Sequence, residues 1–233
     1  SRSLNLHILF TKEEIDKSTI INLSKKYKIT HCPILISKKK NYSNIEFDKF
    51  EYLILTSSNS LKFLDFSEPL KKLQCYCVGD QTAKIAQNIG FKKVISGGGN
   101  YNSLKNIFFN SVENKKKRIL YLRGEFISHN LEKEFQNEGY NVTSVINYTS
   151  LINTDFSKQI LPIINNNENK TIFLYSRRSS DAFAKLILSN NLSNKCKFIC
   201  LRVISENVLN PLKKIKWQNI RIFNIGDEEF CLD

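Results

Sequence analysis

Short apolar runs alternate along the chain with longer segments in which apolar residues recur at helical spacing. The runs LHILF, YLILT, CYCVG and RILYL are each followed by such a segment, and TIFLY, KFICL and IRIFN continue the scheme. Runs rich in Ile, Leu, Val and Phe that alternate with helices are typical of parallel sheets covered on both faces. The pattern therefore predicts an α/β protein with doubly wound parallel sheets.

The number of strands predicts two lobes, because about ten strands are too many for one small doubly wound sheet. Two extended runs, PILISKKK and VTSVINYTSLI, flank the middle third, and we expect them to form a two-strand connection. One lobe then comprises residues 1–37 and 152–233, and residues 38–151 form the inserted lobe. A polar cluster after a strand recurs in LTSSNSLKFL and LYSRRSSDAFAKL, which indicates a cleft between the lobes at their strand ends.

Composition narrows the class of partner. A formal net charge of +13 over 233 residues indicates an anionic partner, either nucleic acid, a membrane surface or a multiply charged small substrate. The lysine runs KKK and KKKR lie between elements without the interleaved aromatic residues of RNA-binding modules, so we expect no nucleic-acid partner. No apolar run approaches the roughly 20 residues that span a membrane, and no secretory signal is evident. We expect a cytoplasmic protein without a membrane partner.

Metal and disulfide chemistry are not indicated. The six cysteines form no C-x-x-C pair and most lie in apolar, strand-like runs, so we expect small buried hydrophobic side chains. The three histidines, His7, His31 and His129, are far apart and lack ligand-spaced neighbours. We therefore expect no metal site, and we place no histidine in the loops that carry the candidate residues.

A cluster of small polar residues marks the first candidate site. Ser57, Ser58 and Asn59 stand between the strand YLIL and a segment of helical spacing. They either cap that helix, since Ser and Asn oxygens accept bonds from its first N–H groups, or help to bind an anion there. Thr82, in the first turn after CYCVG, is likewise either a cap or a ligand donor.

Further candidates follow other strands. Arg123 and Gly124 end the run YLRG; Arg offers a carboxylate two parallel hydrogen bonds, and Gly lets a ligand approach the backbone. The alternative for Arg123 is a surface ion pair with Glu125 or Glu132. Tyr148 lies at the edge of the predicted connection, where it either faces the cleft or packs in the linker. The second polar cluster and the loop after KFICL add the following residues: Ser176, Arg177 and Ser205.

The order and spacing of these blocks resemble the uroporphyrinogen-III synthase family over nearly the whole chain. The resemblance rests on LTSSNSLKFL, CYCVGDQTAKIAQNIG, RILYLRGEFISHNLEKEFQNEGYNVTSVINYTS and FLYSRRSSDAFAKL. Two segments depart from the family. FTKEE stands where an Arg-Pro is usual after the first strand, and LRVISEN replaces IG-x-x-T-A, with Arg202 for the Gly and Ser205 for the Thr.

The resemblance implies a cofactor-free cyclisation of the linear tetrapyrrole hydroxymethylbilane to uroporphyrinogen III, with loss of water. Ring D is inverted through an azafulvene cation and a spiro intermediate, whereas spontaneous closure gives the uninverted isomer. The polar clusters then become a binding site for the substrate's carboxylates, and we expect a monomer. Tyr148 is the expected catalytic donor, because a phenol stays protonated at neutral pH and gives a directional hydrogen bond to the departing oxygen.

Two other classes remain open at this point. The first is a two-lobed receptor for an anionic solute, which has a similar architecture and no catalysis. The second is a nucleic-acid-binding protein, for which the positive charge is the only indication. Incubation with hydroxymethylbilane and separation of the product isomers distinguishes these two classes from the enzyme.

Overall fold

The computed structural model of the chain describes residues 5–64 and 67–233. Their backbone forms two sheets of mainly parallel strands with helices between successive strands, which confirms the predicted α/β class. The chain divides into two compact units. Unit 1 contains the described residues up to Ile36 together with Leu151–Asp233, and unit 2 contains Ser37–Ser150.

The elements are numbered along the chain. The strands are β1 His7–Phe10, β2 Lys28–His31, β3 Leu35–Lys39, β4 Tyr52–Leu55, β5 Gln74–Cys77, β6 Lys93–Ser96, β7 Arg118–Gly124, β8 Asn141–Ile152, β9 Lys170–Leu174, β10 Ile199–Val203 and β11 Asn219–Ile222. The helices are α1 Lys17–Ser24, α2 Asn59–Lys62, α3 Glu68–Lys71, α4 Asp80–Ile89, α5 Tyr101–Ser111, α6 Leu131–Asn137, α7 Phe156–Asn165, α8 Arg177–Ser189 and α9 Glu206–Leu209.

Unit 1 is built on a five-stranded sheet in the order β11-β10-β9-β1-β2, with every paired neighbour parallel. Both faces of this sheet are covered. Leu9 of β1 packs in one core with Phe183 of α8, while the adjacent Phe10 packs in another core with Leu23 of α1. Successive side chains of a strand point to opposite faces, so burial of both explains why β1 reads as an unbroken apolar run.

Unit 2 is built on a six-stranded sheet in the order β3-β8-β7-β4-β5-β6. The five strands from β8 to β6 pair in parallel. Leu53 of β4 packs in one core with Ala86 of α4, and its neighbour Ile54 packs in another with Phe108 of α5. The chain passes between the two units within β3 and within β8, the two extended runs noted above.

Each sheet has a point where the strand order reverses. In unit 2 the chain runs from β4 outward to β5 and β6, and then returns to add β7 and β8 on the other side of β4. In unit 1 the same reversal falls between β1 and β9. The loops at the carboxyl ends of the strands separate at such a point, and the crevice they leave is where open parallel sheets bind ligands.

Two helix ends have distinctive geometry. Gly90 is the C-cap of α4, and its φ of +112° lies in the left-handed region that glycine adopts readily. The helix after the first polar cluster, α2, spans only Asn59–Lys62, although apolar residues continue at helical spacing to Leu64. A one-turn helix contributes little dipole to an anion site, because the effect arises from a row of aligned peptide units.

The cysteines are free thiols, five of them buried and Cys231 half-buried, as the sequence predicted. Burial raises the pKa of Cys32 and of Cys196 to about 12, so these thiols stay protonated. Within residues 5–64 and 67–233, no helix combines the length and apolar character needed to cross a bilayer. The same residues include no group of three or more His, Cys, Asp or Glu side chains placed to hold a metal ion.

Candidate active site

A cavity of about 150 Å³ lies in unit 2 at the reversal between β4 and β7, and we call it the switch-point pocket. Its walls come from the residues that follow β4, from β7 and β8, from the first turn of α5 and from the loop after β7. The lining residues are Thr56, Ser57, Tyr101, Tyr121, Gly124, Phe126, Ile127, Ser128, His129 and Tyr148. Topology therefore brings together side chains that are distant in the sequence.

The Tyr148 ring lies directly against Gly124. The two residues are partners across β7 and β8, and a Cβ added at Gly124 would stand 2.7 Å from Cζ of Tyr148 and 2.9 Å from its hydroxyl oxygen. The ring also contacts Phe63, at a centroid distance of 6.3 Å. The glycine in YLRGEF is thus required for close approach of a side chain, and it fixes where the phenol stands.

Tyr121 forms a buried wall of the same pocket. The residue is 1% exposed, and it lines the pocket together with Thr56. Burial raises the pKa of Tyr121 to about 12, so its phenol is neutral at physiological pH. Thr56 and Tyr121 therefore line one side of the pocket with hydroxyl groups.

The residues of the first polar cluster have different roles. Ser57 lines the pocket, and its oxygen accepts the backbone N–H of Asn59 at 3.2 Å. Ser58 is the N-cap residue of α2, but its side chain makes no capping bond. The buried Ser60 donates to the carbonyl oxygen of Leu122 at 3.1 Å, which ties the cluster to β7.

A second anchor comes from β8. The buried Asn147 side chain donates through Nδ2 to the carbonyl oxygen of Ser60 at 2.7 Å. The loop after β4 is therefore bonded both to β7 and to the residue that precedes Tyr148. These bonds hold Ser57 and Tyr148 on the same rigid support.

The other predicted residues of unit 2 lie outside the lining of the pocket. Thr82 is 7% exposed in the first turn of α4, after β5. The Arg123 guanidinium donates through Nη1 to the carbonyl oxygens of Gly124, at 2.9 Å, and of Glu125, at 3.4 Å. Arg123 therefore braces the backbone that carries Gly124. The Glu125 carboxylate accepts from Lys40 at 2.8 Å.

In unit 1 the predicted residues gather at the starts of two helices. Ser176 caps α8 by accepting the N–H of Ser179 at 3.1 Å, and Ser205 caps α9 by accepting that of Val208 at 3.3 Å. Arg177 links the two helices, because its Nη1 donates to Asn207 at 3.1 Å. The capping role weighed for such residues in the sequence is thus present at both serines.

A larger cavity in unit 1, of about 540 Å³, is a weaker candidate site. It is lined by the end of β8 and by α7 and α8, including the side chains of Phe156, Arg178 and Lys185. None of the five strands of the unit 1 sheet contributes to this lining. It therefore lies away from the strand ends where parallel sheets bind ligands.

Comparison with known proteins decides the family. Residues 25–224 match the sequence profile of the HEM4 family, described as uroporphyrinogen-III synthase HemD. The chain belongs to the uroporphyrinogen-III synthase family. No curated protein matches it significantly. Members of this family are cyclising hydro-lyases of haem biosynthesis, so the resemblance predicted from the sequence is confirmed.

Solved structures agree on the fold. Uroporphyrinogen-III synthetase from Helicobacter pylori superposes with a TM-score of 0.63 at 16% identity, covering 94% of each chain. A variant of uroporphyrinogen III synthase from the bacterium Thermus thermophilus superposes with a TM-score of 0.51 at 11% identity, covering 97% of each chain. At these identities the likeness concerns the two-lobed α/β fold.

The first departure from the family pattern is the segment FTKEE. Its Lys12 places a positive charge after β1. The Lys12 ammonium stands 5.5 Å from the ring centroid of Tyr175, which follows β9. Burial lowers the pKa of Lys12, and the nearby Glu228 carboxylate opposes that shift. A uroporphyrinogen-III synthase with FTKEE at this position thus places a half-buried lysine at the strand reversal of unit 1.

The second departure, Arg202, is fully buried in β10. Its guanidinium donates through Nε to the carbonyl oxygen of Cys231 at 2.5 Å and through Nη1 to Asn219 at 2.6 Å. Arg202 therefore fastens both β11 and the C-terminal segment to the sheet. Where the family has a glycine, this chain carries a structural bond donor.

Sequence reasoning named only three of the ten residues that line the switch-point pocket, and it missed Tyr101, Ser128 and His129 among the others. Tyr101 and His129 stack with ring centroids 4.0 Å apart, and Ser128 stands beside them with its oxygen 3.2 Å from Nδ1 of His129. The expectation that no histidine lies in the candidate loops is wrong, since His129 lines the pocket. The signal was its place in RGEFISHN, five residues after Gly124 in a loop that follows a central strand.

Proposed function

We propose that this chain carries out its family's reaction, the cyclisation of hydroxymethylbilane to uroporphyrinogen III, with the switch-point pocket of unit 2 as the reacting centre. The observation that carries the proposal is the Tyr148 phenol, held against Gly124 at the strand reversal. This is the part of an open parallel sheet from which catalytic side chains reach a ligand. The reaction is proposed to need no cofactor.

Tyr148 is proposed to hydrogen-bond the oxygen of the substrate's hydroxymethyl group as it departs. A phenol is a directional donor that stays protonated at neutral pH. Departure leaves an azafulvene cation, whose attack by the substituted carbon of ring D gives the spiro intermediate. Because the substrate also closes spontaneously, the task of the protein is to hold the chain ends in the geometry that leads to inversion.

Binding of the substrate's carboxylates is assigned to the polar residues around the strand ends. In unit 2 these are Ser57, Ser58, Asn59, Thr82, Arg123 and the backbone at Gly124; in unit 1 they are Ser176, Arg177 and Ser205. A net charge of +13 supports this assignment, because it raises the rate at which a polyanion meets the protein. That both sets face one cleft stays a prediction.

Tyr148→Phe tests the site. The variant loses the hydroxyl and keeps the ring, so we expect a rate loss of about 10²-fold or more, as for other positioned donors. More of the spontaneous type I isomer should then appear, while the circular dichroism spectrum stays unchanged. Tyr27→Phe, a half-buried tyrosine of unit 1, is the matched control. Wild-type turnover with only type III product from Tyr148→Phe would remove the phenol from the mechanism.

Family membership favours the synthase over the alternative of a solute- or nucleic-acid-binding protein without catalysis. A monomeric state, a cytoplasmic location and the absence of a nucleic-acid partner stay predictions from the sequence.

A further inference from the structure

The lining of the switch-point pocket contains two kinds of acid. Three of its side chains are the phenols of Tyr101, Tyr121 and Tyr148, and one is the imidazole of His129. Phenols ordinarily release a proton only near pH 10, whereas imidazole ordinarily exchanges one near neutral pH. Among the lining residues, His129 is therefore the side chain whose type is suited to transfer a proton under physiological conditions.

The His129 ring is held in place by its neighbours. It stacks on Tyr101 with a centroid distance of 4.0 Å and an interplanar angle of 20°. Its Nδ1 lies 3.2 Å from the Ser128 oxygen, which in turn lies 3.4 Å from the Tyr101 hydroxyl. Within the described residues this is the one hydrogen bond of the ring, so Nε2 is left for a ligand.

The charged side chains around this loop are engaged elsewhere. On the same loop, Glu125 accepts from Lys40 and from Thr149. Arg123 of β7 donates to two carbonyl oxygens. On the helices beside the loop, Lys105 of α5 pairs with Glu134 of α6 at 2.8 Å. The titratable groups that line the pocket with His129 are its three phenols.

We infer that His129 supplies the proton with which the substrate's hydroxyl departs, while Tyr148 orients the departing oxygen; this inference rests on the proposed function. The C–O bond breaks with both electrons going to oxygen, the Nε2 proton of the imidazolium passes to that oxygen, and water leaves. Electrons of the adjacent pyrrole nitrogen form the azafulvene double bond. The neutral imidazole recovers a proton when the closed ring loses one to become aromatic, so the net change is loss of water.

The test is the pH dependence of type III formation in three proteins: the unaltered chain, His129→Gln and His31→Gln. Glutamine keeps a donor at the position of Nε2 but transfers no proton near neutral pH. We expect His129→Gln to lose about 10²-fold in rate at neutral pH, and to lose the decline in rate toward alkaline pH that the inference predicts for the unaltered chain. His31→Gln, which changes an exposed histidine of β2, should keep the full profile.

Chemical rescue separates proton transfer from a packing role. His129→Ala should regain type III formation when imidazole is added, and Tyr148→Phe should keep the pH-dependent decline at its lower rate. A rate loss in His129→Gln with an unchanged pH profile and no rescue would overturn the inference, since His129 would then act only through packing. A fully active His129→Gln would overturn it too. Failure of the proposed function has a different signature, because the unaltered chain would then form no type III isomer.

Discussion

At the scale of single residues, the position of the Tyr148 ring in the pocket depends on the absence of a side chain at Gly124. Gly124 has no Cβ, and the Tyr148 ring occupies the space where one would stand. Ser57, Gly124 and Tyr148 were selected in the sequence by their types and by their places after strands. Tyr101 and His129 were missed because no local pattern marks a contact between the start of a helix and a loop 28 residues further along the chain.

Gly124→Ala should therefore impair Tyr148 although Tyr148 itself is unchanged. The new Cβ would meet the phenol ring at 2.7 Å, so the ring has to move away from its present position. We expect a fall in type III rate comparable to that of Tyr148→Phe, with a rise in type I product. Gly79→Ala is the control, because nothing lies within 4 Å of its added Cβ. Equal activity of the two alanine variants would show that the position of the ring is unimportant.

His7 makes the stability of unit 1 depend on pH. It is 2% exposed in β1, and burial, assisted by the charge of Lys28, lowers its pKa from 6.5 to about 4. Between these values the unfolded chain binds a proton that the folded chain does not. The free energy of unfolding should therefore fall as the pH is lowered from 6.5 to 4, by on the order of 3 kcal/mol at about 1.4 kcal/mol per pKa unit.

Urea unfolding at several pH values measures this slope. His7→Gln has no such proton to bind, so its unfolding free energy should fall less steeply over the same range. His31→Gln should keep the slope of the unaltered chain. An identical slope in His7→Gln would show that other groups cause the acid sensitivity.

At the scale of elements, the central strands were predictable and some of their surroundings were not. Strands such as β4 and β7 are buried on both faces, and such strands are continuous apolar runs in the sequence. The helix after β4 was harder, because the apolar residues at Leu61 and Leu64 serve the core although α2 ends at Lys62. Periodicity reports which side chains are buried, and tertiary packing decides the backbone that carries them.

The attachment of β11 and the C-terminal segment to β10 depends on Arg202. Arg202→Met fills a similar volume and removes the bonds to Cys231 and Asn219, leaving partly buried acceptors without these donors. Such a loss costs about 1–3 kcal/mol, so we expect a lower denaturation midpoint. Arg221→Met, at the exposed neighbour on β11, is the matched control and should change little. Unaltered stability of Arg202→Met would mean that packing alone holds the C-terminal segment.

At the scale of the whole molecule, the order of the motif blocks carried more information than any one block. Polar residues after a strand occur in many α/β proteins, and at Ser176 and Ser205 they prove to cap helices. Their succession through two doubly wound sheets, together with the match over residues 25–224, identifies the family. Net charge indicated an anionic partner and left its class open, because long-range attraction depends on the charge of the partner and little on its shape.

The central claim is that this chain directs the closure of a linear tetrapyrrole toward the inverted ring. The most direct measurement is to incubate the unaltered protein with hydroxymethylbilane and to separate the product isomers by chromatography, beside a protein-free sample. Our account predicts mainly type III product, formed faster than spontaneous closure. Type I product alone, at the rate of the protein-free sample, would contradict it.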